Sequence, residues 1–168
     1  SDQYGYSKYL MNKHARSSSN IYNLRLFGLF GKYDDWRYRF IPNACCKVLL
    51  DMPITMRHNA CFDYTYIDDL VAIVDWVMTS EPNHRDYNIC TGHSHNYTTL
   101  ADQILDISDK NLEVIVEDAS PPYTYGGDNT RLVEESGFMF AKIRESIADL
   151  YGWYCQNRGI INKELFVY

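Results

Sequence analysis

The chain has 168 residues, 46% hydrophobic and 23% charged, which suits one soluble globular domain with a sizeable core. Its 16 basic against 22 acidic residues give a net charge of −6, which argues against a nucleic-acid or anionic-membrane partner. No apolar run approaches membrane-spanning length, no signal peptide opens the chain, and 5 irregularly spaced cysteines speak for a reducing, cytoplasmic setting.

The first predicted element is a helix over residues 3 to about 17, with Tyr6, Leu10 and Ala15 as its apolar stripe and Ser17-Ser18-Ser19-Asn20 as its end. Within it Tyr4 and Lys8 stand four apart, one above the other on the same face. A free phenol ionises near pH 10, so acting as a base at neutral pH requires roughly 4 kcal/mol of help. A positive charge at about 4 Å, in an effective dielectric near 20, supplies roughly that amount. The pair is therefore a candidate general acid/base, although most Tyr–Lys pairs at this spacing are solvated surface. Tyr9 and Lys13 repeat the spacing without the neighbouring small residues Gly5 and Ser7, and read as structural.

Ile21 to Phe30 is a dense apolar run that predicts one buried parallel strand running into a loop, and helix, turn and buried strand is the α/β rhythm. Lys32 to Arg39 is a charged, aromatic loop, either a solvated lid over a core or, through the guanidinium forks of Arg37 and Arg39, a phosphate clamp. A helix follows from Phe40 to about Leu50, with the vicinal Cys45-Cys46 inside it; all 5 cysteines read as packing residues. Phe62 to Val71 predicts a short strand turning into a helix through about Thr79, with Asp68 and Asp69 capping its first turn rather than serving as an acid/base pair. Asp86 to Cys90 is a strand closed by Thr91-Gly92, and Thr98-Thr99 caps a helix from Leu100 to about Ile107. His93 and His95 lack a further ligand cluster, so they read as a polar turn and no metal is expected. Leu112 to Val116 is a strand and Ser120 to Asp128 a loop. A short capped helix then ends at Gly137, Ala141 to Tyr154 is an amphipathic helix, and Asn157 to Tyr168 is a tail without functional signal.

The string Tyr4-Gly5-Tyr6-Ser7-Lys8 resembles the catalytic signature of the short-chain dehydrogenase/reductase superfamily, in its extended branch of NAD-dependent epimerases and dehydratases. Arg25-Leu26-Phe27-Gly28-Leu29-Phe30-Gly31-Lys32 follows that branch's next strand, with Gly28 where Asn is usual and Lys32 where Pro is usual. Asp63-Tyr64-Thr65-Tyr66-Ile67-Asp68-Asp69 and Asp128-Asn129-Thr130-Arg131 match two further segments in the branch's order, but Phe62 replaces the Arg that often binds the nucleotide's phosphates.

This resemblance implies an α/β fold: the C-terminal part of a Rossmann-like parallel sheet plus the small α/β substrate-binding domain. It implies Tyr4 as proton-transfer residue and Lys8 as ribose ligand, with Phe27 and Gly28 on the cofactor side. It implies Arg39, Arg37, Arg57 and Tyr125 toward the substrate, Arg57 standing in for the Arg lost at Phe62. The 168 residues contain no G-x-G-x-x-G turn and the signature lies at residue 4. The expectation is thus the C-terminal half of an NAD- or NADP-dependent nucleotide-sugar epimerase or dehydratase, inactive alone and able to form a homodimer through the catalytic helix. Two alternatives stand beside it: a non-catalytic ligand-binding or scaffold module, and a reductase acting on a non-sugar carbonyl.

Overall fold

The computed structural model describes residues 2–118 and 120–166. Helix α1 (Gln3–Arg16) starts where the Asp2 carboxylate accepts a hydrogen bond from the Tyr4 amide, and basic side chains fill its last turn. The expected apolar stripe is not buried: Tyr6 and Leu10 are 60% and 47% exposed, and only Ala15 is covered. The reason is how α1 docks, by side chains near its C-terminal end. Asn12 accepts a hydrogen bond from the Asn23 side chain, and Arg16 approaches Asp86, which also pairs with Arg25 and Arg131. Burial works against ionisation of Asp86, but the Arg25 hydrogen bond and the three guanidinium charges outweigh it and hold its carboxyl below the usual range.

The run from 21 to 30 forms two strands rather than one. Strand β1 (Asn23–Leu26) pairs in parallel with β5 (Asp86–Ile89), whereas β2 (Gly28–Phe30) pairs in parallel with β4 (Cys61–Tyr66). The chain changes partners at Phe27, whose amide still donates to the Ile89 carbonyl. Strand β4 is the hub, because β6 (Ser94–Asn96) adds to it antiparallel and β8 (Thr124–Tyr125) adds to it in parallel. Residues 94–96 and 124–125, expected as turn and loop, are thus strands, too short to carry a periodic signal of their own. A third small sheet pairs β3 (Ile54–His58) with β7 (Val114–Asp118) in parallel.

Helices α2 (Phe40–Leu49), α4 (Tyr97–Ser108) and α6 (Ile143–Gln156) bury one main core. There Ile41, Cys45 and Val48 meet Leu100, Ile104, Ile147 and Leu150. A smaller core joins Ile73 of α3 (Ile67–Thr79), Tyr87, Ile89 and Leu132 of α5 (Thr130–Ser136). Helix α4 begins three residues before Leu100, so the threonines lie inside its first turn, and the Asn59 side chain serves as an external cap by accepting from the Thr98 amide. Asp68 and Asp69 do sit at the dipole end of α3 but cap none of its amides: Asp69 accepts from Ala141 and Asp68 faces Lys32. Gly137 ends α5 in the left-handed region, as expected.

Cys45, Cys46 and Cys90 are buried and Cys61 is half-buried, but Cys155 is exposed rather than part of a core. The tail packs onto the core, since Phe166 is buried with its ring 5.0 Å from that of Trp36; residues 167 and 168 of the tail lie outside the described residues. No helix among the described residues is long and apolar enough to cross a membrane.

Candidate active site

The change of partner strand at Phe27 opens a cleft of about 620 Å³ between the two sheet regions and the start of α2. Tyr4 lines it from the first turn of α1, with Phe27, Gly28, Lys32, Arg39 and Phe62 among the facing residues. The Lys8 ammonium lies 5.3 Å from the centroid of the Tyr4 ring, so the four-residue spacing does bring phenol and ammonium onto one face. Tyr4 is 68% exposed. Lys8 does not line the cleft itself.

Gly28 owes its identity first to packing. A Cβ there would sit 2.4 Å from the carbonyl oxygen of Asp63, so the Asn usual at this position could not be seated without moving β4. The close approach is to backbone of the same chain, while the strand's other side forms cleft wall. Asp63 in turn is fully buried and accepts three hydrogen bonds, from the Thr91 amide at 2.8 Å, the Thr91 hydroxyl at 2.7 Å and the Gly92 amide at 2.8 Å. Its carboxylate thereby clamps the turn after β5 to the hub strand.

The four residues expected to face substrate separate. Arg39 lines the cleft, is largely exposed and lies 4.0 Å from Asp34. Burial pushes the Asp34 carboxyl up, against the opposing pull of the Asp35 amide and Arg39. Arg37 is held in a bidentate pair by Asp35, both contacts 2.8 Å, and does not line the cleft. Arg57 lies on β3 and lines a neighbouring cavity. Tyr125 packs its ring between Phe27 and Phe62, at 5.3 and 5.6 Å. The structure therefore assembles Tyr4, Phe27, Gly28 and Arg39 on one cleft, with Lys8 against Tyr4, and leaves Arg37, Arg57 and Tyr125 outside it.

Sequence reasoning missed two features. The first is a row of aromatic rings, Phe27, Tyr125, Phe62, Tyr97 and Phe40, whose last pair stacks at 4.0 Å and 6°. The high tyrosine count was the available signal, but the row joins five separate segments. The second is the tie on Lys32, whose ammonium lies 2.9 Å from Asp149; Asp149 also accepts from the Tyr66 hydroxyl. The hydrogen bond from Lys32 to Asp149 and that carboxylate's charge raise the Lys32 pKa, while the Tyr66 and Lys32 hydrogen bonds lower that of Asp149. Lys32 is thus committed to α6 rather than free for an anion. Among the described residues no group of three or more His, Cys, Asp or Glu is placed to hold a metal ion.

Residues 1–90 match the model of the NAD dependent epimerase/dehydratase family. No curated protein matches the chain. Solved structures with similar folds include dTDP-glucose 4,6-dehydratase from Bacillus anthracis in complex with NAD (TM-score 0.75, 17% identity, 98% of this chain and 55% of that one). UDP-glucuronic acid 4-epimerase from Bacillus cereus, in complex with UDP-glucuronic acid and NAD, gives a TM-score of 0.74 at 17% identity, over 89% and 50% of the two chains. UDP-glucose 4-epimerase from Thermotoga maritima, with UDP-glucose, gives 0.73 at 19% identity, over 93% and 52%. The chain spans about half the length of these structures.

Proposed function

We propose, from the premise that this chain belongs to the NAD dependent epimerase/dehydratase family, that it forms the C-terminal half of a nucleotide-sugar epimerase or dehydratase. The observation that carries this reading is Tyr4 on the cleft wall with the Lys8 ammonium against its ring. The donor set fits the nicotinamide-ribose end of NAD or NADP, since an ammonium and a phenol on one helix face can meet ribose hydroxyls and a reacting oxygen together. When bound, the dinucleotide supplies the hydride acceptor or donor. Tyr4 takes or returns the proton of the sugar hydroxyl, and Lys8 stabilises the phenolate by charge. Phe27 and Gly28 wall the cofactor side, and Arg39 supports the substrate's anionic portion.

The 168 residues carry no G-x-G-x-x-G turn for a pyrophosphate, so the activity is assigned to the longer enzyme and not to this half. The exposed Tyr6, Leu10 and Met11 on α1 are in keeping with a homodimer through that helix. A second reading, reduction of a non-sugar carbonyl, is favoured by Phe62, which sits in the aromatic row where a phosphate-binding Arg is usual.

Calorimetry and product analysis test the proposal together. The longer enzyme is expected to bind NAD or NADP and convert at least one UDP-, dTDP- or GDP-sugar, whereas the isolated chain binds the cofactor at least about 100-fold more weakly and turns nothing over. Equal cofactor affinity in the isolated chain would contradict the assignment to a half-enzyme. A longer enzyme that binds cofactor yet reduces only simple carbonyls would favour the second reading.

A further inference from the structure

Tyr33 and Asp34 line the cleft and also line a second cavity, of about 490 Å³. Trp36 from the same loop and Trp153 and Tyr154 from α6 complete the aromatic lining of that cavity. The rings stand at steep angles to one another: Trp153 meets Tyr33 edge-on at 5.1 Å and 69°, and meets Tyr154 at 5.0 Å and 68°. Aromatic faces attract cations, and several rings set at angles around one space suit an organic ammonium ion.

The charges point the same way. Among the described residues, the charged groups lining the cavity are Asp34, Asp35 and Arg37. Arg37 is spent on its bidentate pair with Asp35 and lies 5.3 Å from the Tyr38 ring centroid, so those two charges cancel. Asp34 is left over. Its Oδ1 accepts from the Asp35 amide at 2.8 Å, whereas its Oδ2 is buried and has no hydrogen-bond partner among the described residues. Arg39 lies 4.0 Å from Oδ1 with a largely exposed side chain, which is a weak pairing. A buried carboxylate oxygen without a donor is costly, and burial accordingly pushes the Asp34 carboxyl up.

We propose that this cavity binds a small protonated alkylamine, its ammonium held by the Asp34 carboxylate and its carbon chain by the Tyr33, Trp36 and Trp153 rings. The amine N–H supplies the donor that Oδ2 lacks, and the rings replace water that the cation sheds. An anionic ligand would meet the same rings but face Asp34 with like charge. The inference rests on this cavity alone and is independent of the Tyr4–Lys8 reading.

Butylammonium chloride titrated into the isotopically labelled 168-residue chain, at constant ionic strength, provides the test, read by the indole N–H signals of the 3 tryptophans. Trp36 and Trp153 are expected to shift along one saturation curve while Trp76, packed in the smaller core, stays unmoved. Asp34→Asn is expected to weaken binding at least about tenfold, and Tyr33→Ala several-fold. Tyr33 is 87% exposed, so Tyr33→Ala carries the comparison if Asp34→Asn does not fold. Butyltrimethylammonium has the same charge and chain but no N–H, and is expected to bind several-fold more weakly than butylammonium. Equal or tighter binding of butyltrimethylammonium would overturn the Asp34 contact. Non-saturable shifts in wild type, or unchanged affinity in every variant that folds, would overturn the site.

Discussion

Tyr4→Phe is expected to lower kcat of the longer enzyme by about 10³-fold with little change in KM, the signature of a proton transfer lost from the transition state alone. The substitution is a clean one. Tyr4 is exposed, so removing its hydroxyl opens no cavity, and a phenylalanine ring keeps the face against which the Lys8 ammonium rests. The loss therefore reports the hydroxyl itself. Lys8→Met is expected to impair the same step, since the ammonium that rests against the Tyr4 ring is lost. Steady-state rates with a nucleotide sugar check both, and a Tyr4→Phe enzyme within tenfold of wild type would remove Tyr4 from the chemistry.

Asp63→Ala is expected to cost about 3 to 5 kcal/mol of folding stability, the largest single effect among the residues around the cleft. Three donors meet one buried carboxylate, and alanine leaves the Thr91 and Gly92 amides and the Thr91 hydroxyl without their acceptor in a site closed to water. The turn they hold leads into β6, which pairs with β4 on the far side from β2, so losing the clamp loosens the strand against which Gly28 packs. Urea unfolding of the variant gives the number, with the midpoint shifted and the slope unchanged if the native state stays compact. A cost below about 1 kcal/mol would mean that water or relaxation replaces the lost acceptor.

The long helices were legible because ten or more residues average out local accidents: α6 lies close to where its apolar period places it, and α2 and α3 lie close to their expected bounds. The Tyr4–Lys8 contact was legible for a related reason, since helix geometry alone dictates it. Short strands were not. Residues 94–96 and 124–125 are strands only because β4 offers them open edges, a long-range fact that three or two residues cannot encode. Strand β3, left without a reading, did carry the signal, because Ile54 and Met56 are buried while Arg57 is exposed.

The break at Phe27 depends on Gly28 meeting Asp63, residues 35 apart in sequence, and the fate of Arg37 depends on a local competitor, Asp35, that a charge count treats as neutralising but cannot orient. Helix α1 misled for the opposite reason. Its stripe is real, but Tyr6 and Leu10 stay exposed among the described residues.

The proposed function requires one cleft to receive the substrate with Tyr4 at its wall. Heteronuclear NMR of the isotopically labelled chain, titrated with UDP-glucose, reads this residue by residue. The amides of Tyr4, Gly28, Gly31 and Phe40 are expected to shift together along one saturation curve, because all four residues line that cleft. Shifts confined instead to the separate cavity around His93, His95 and Lys142, with those four amides unmoved, would contradict it.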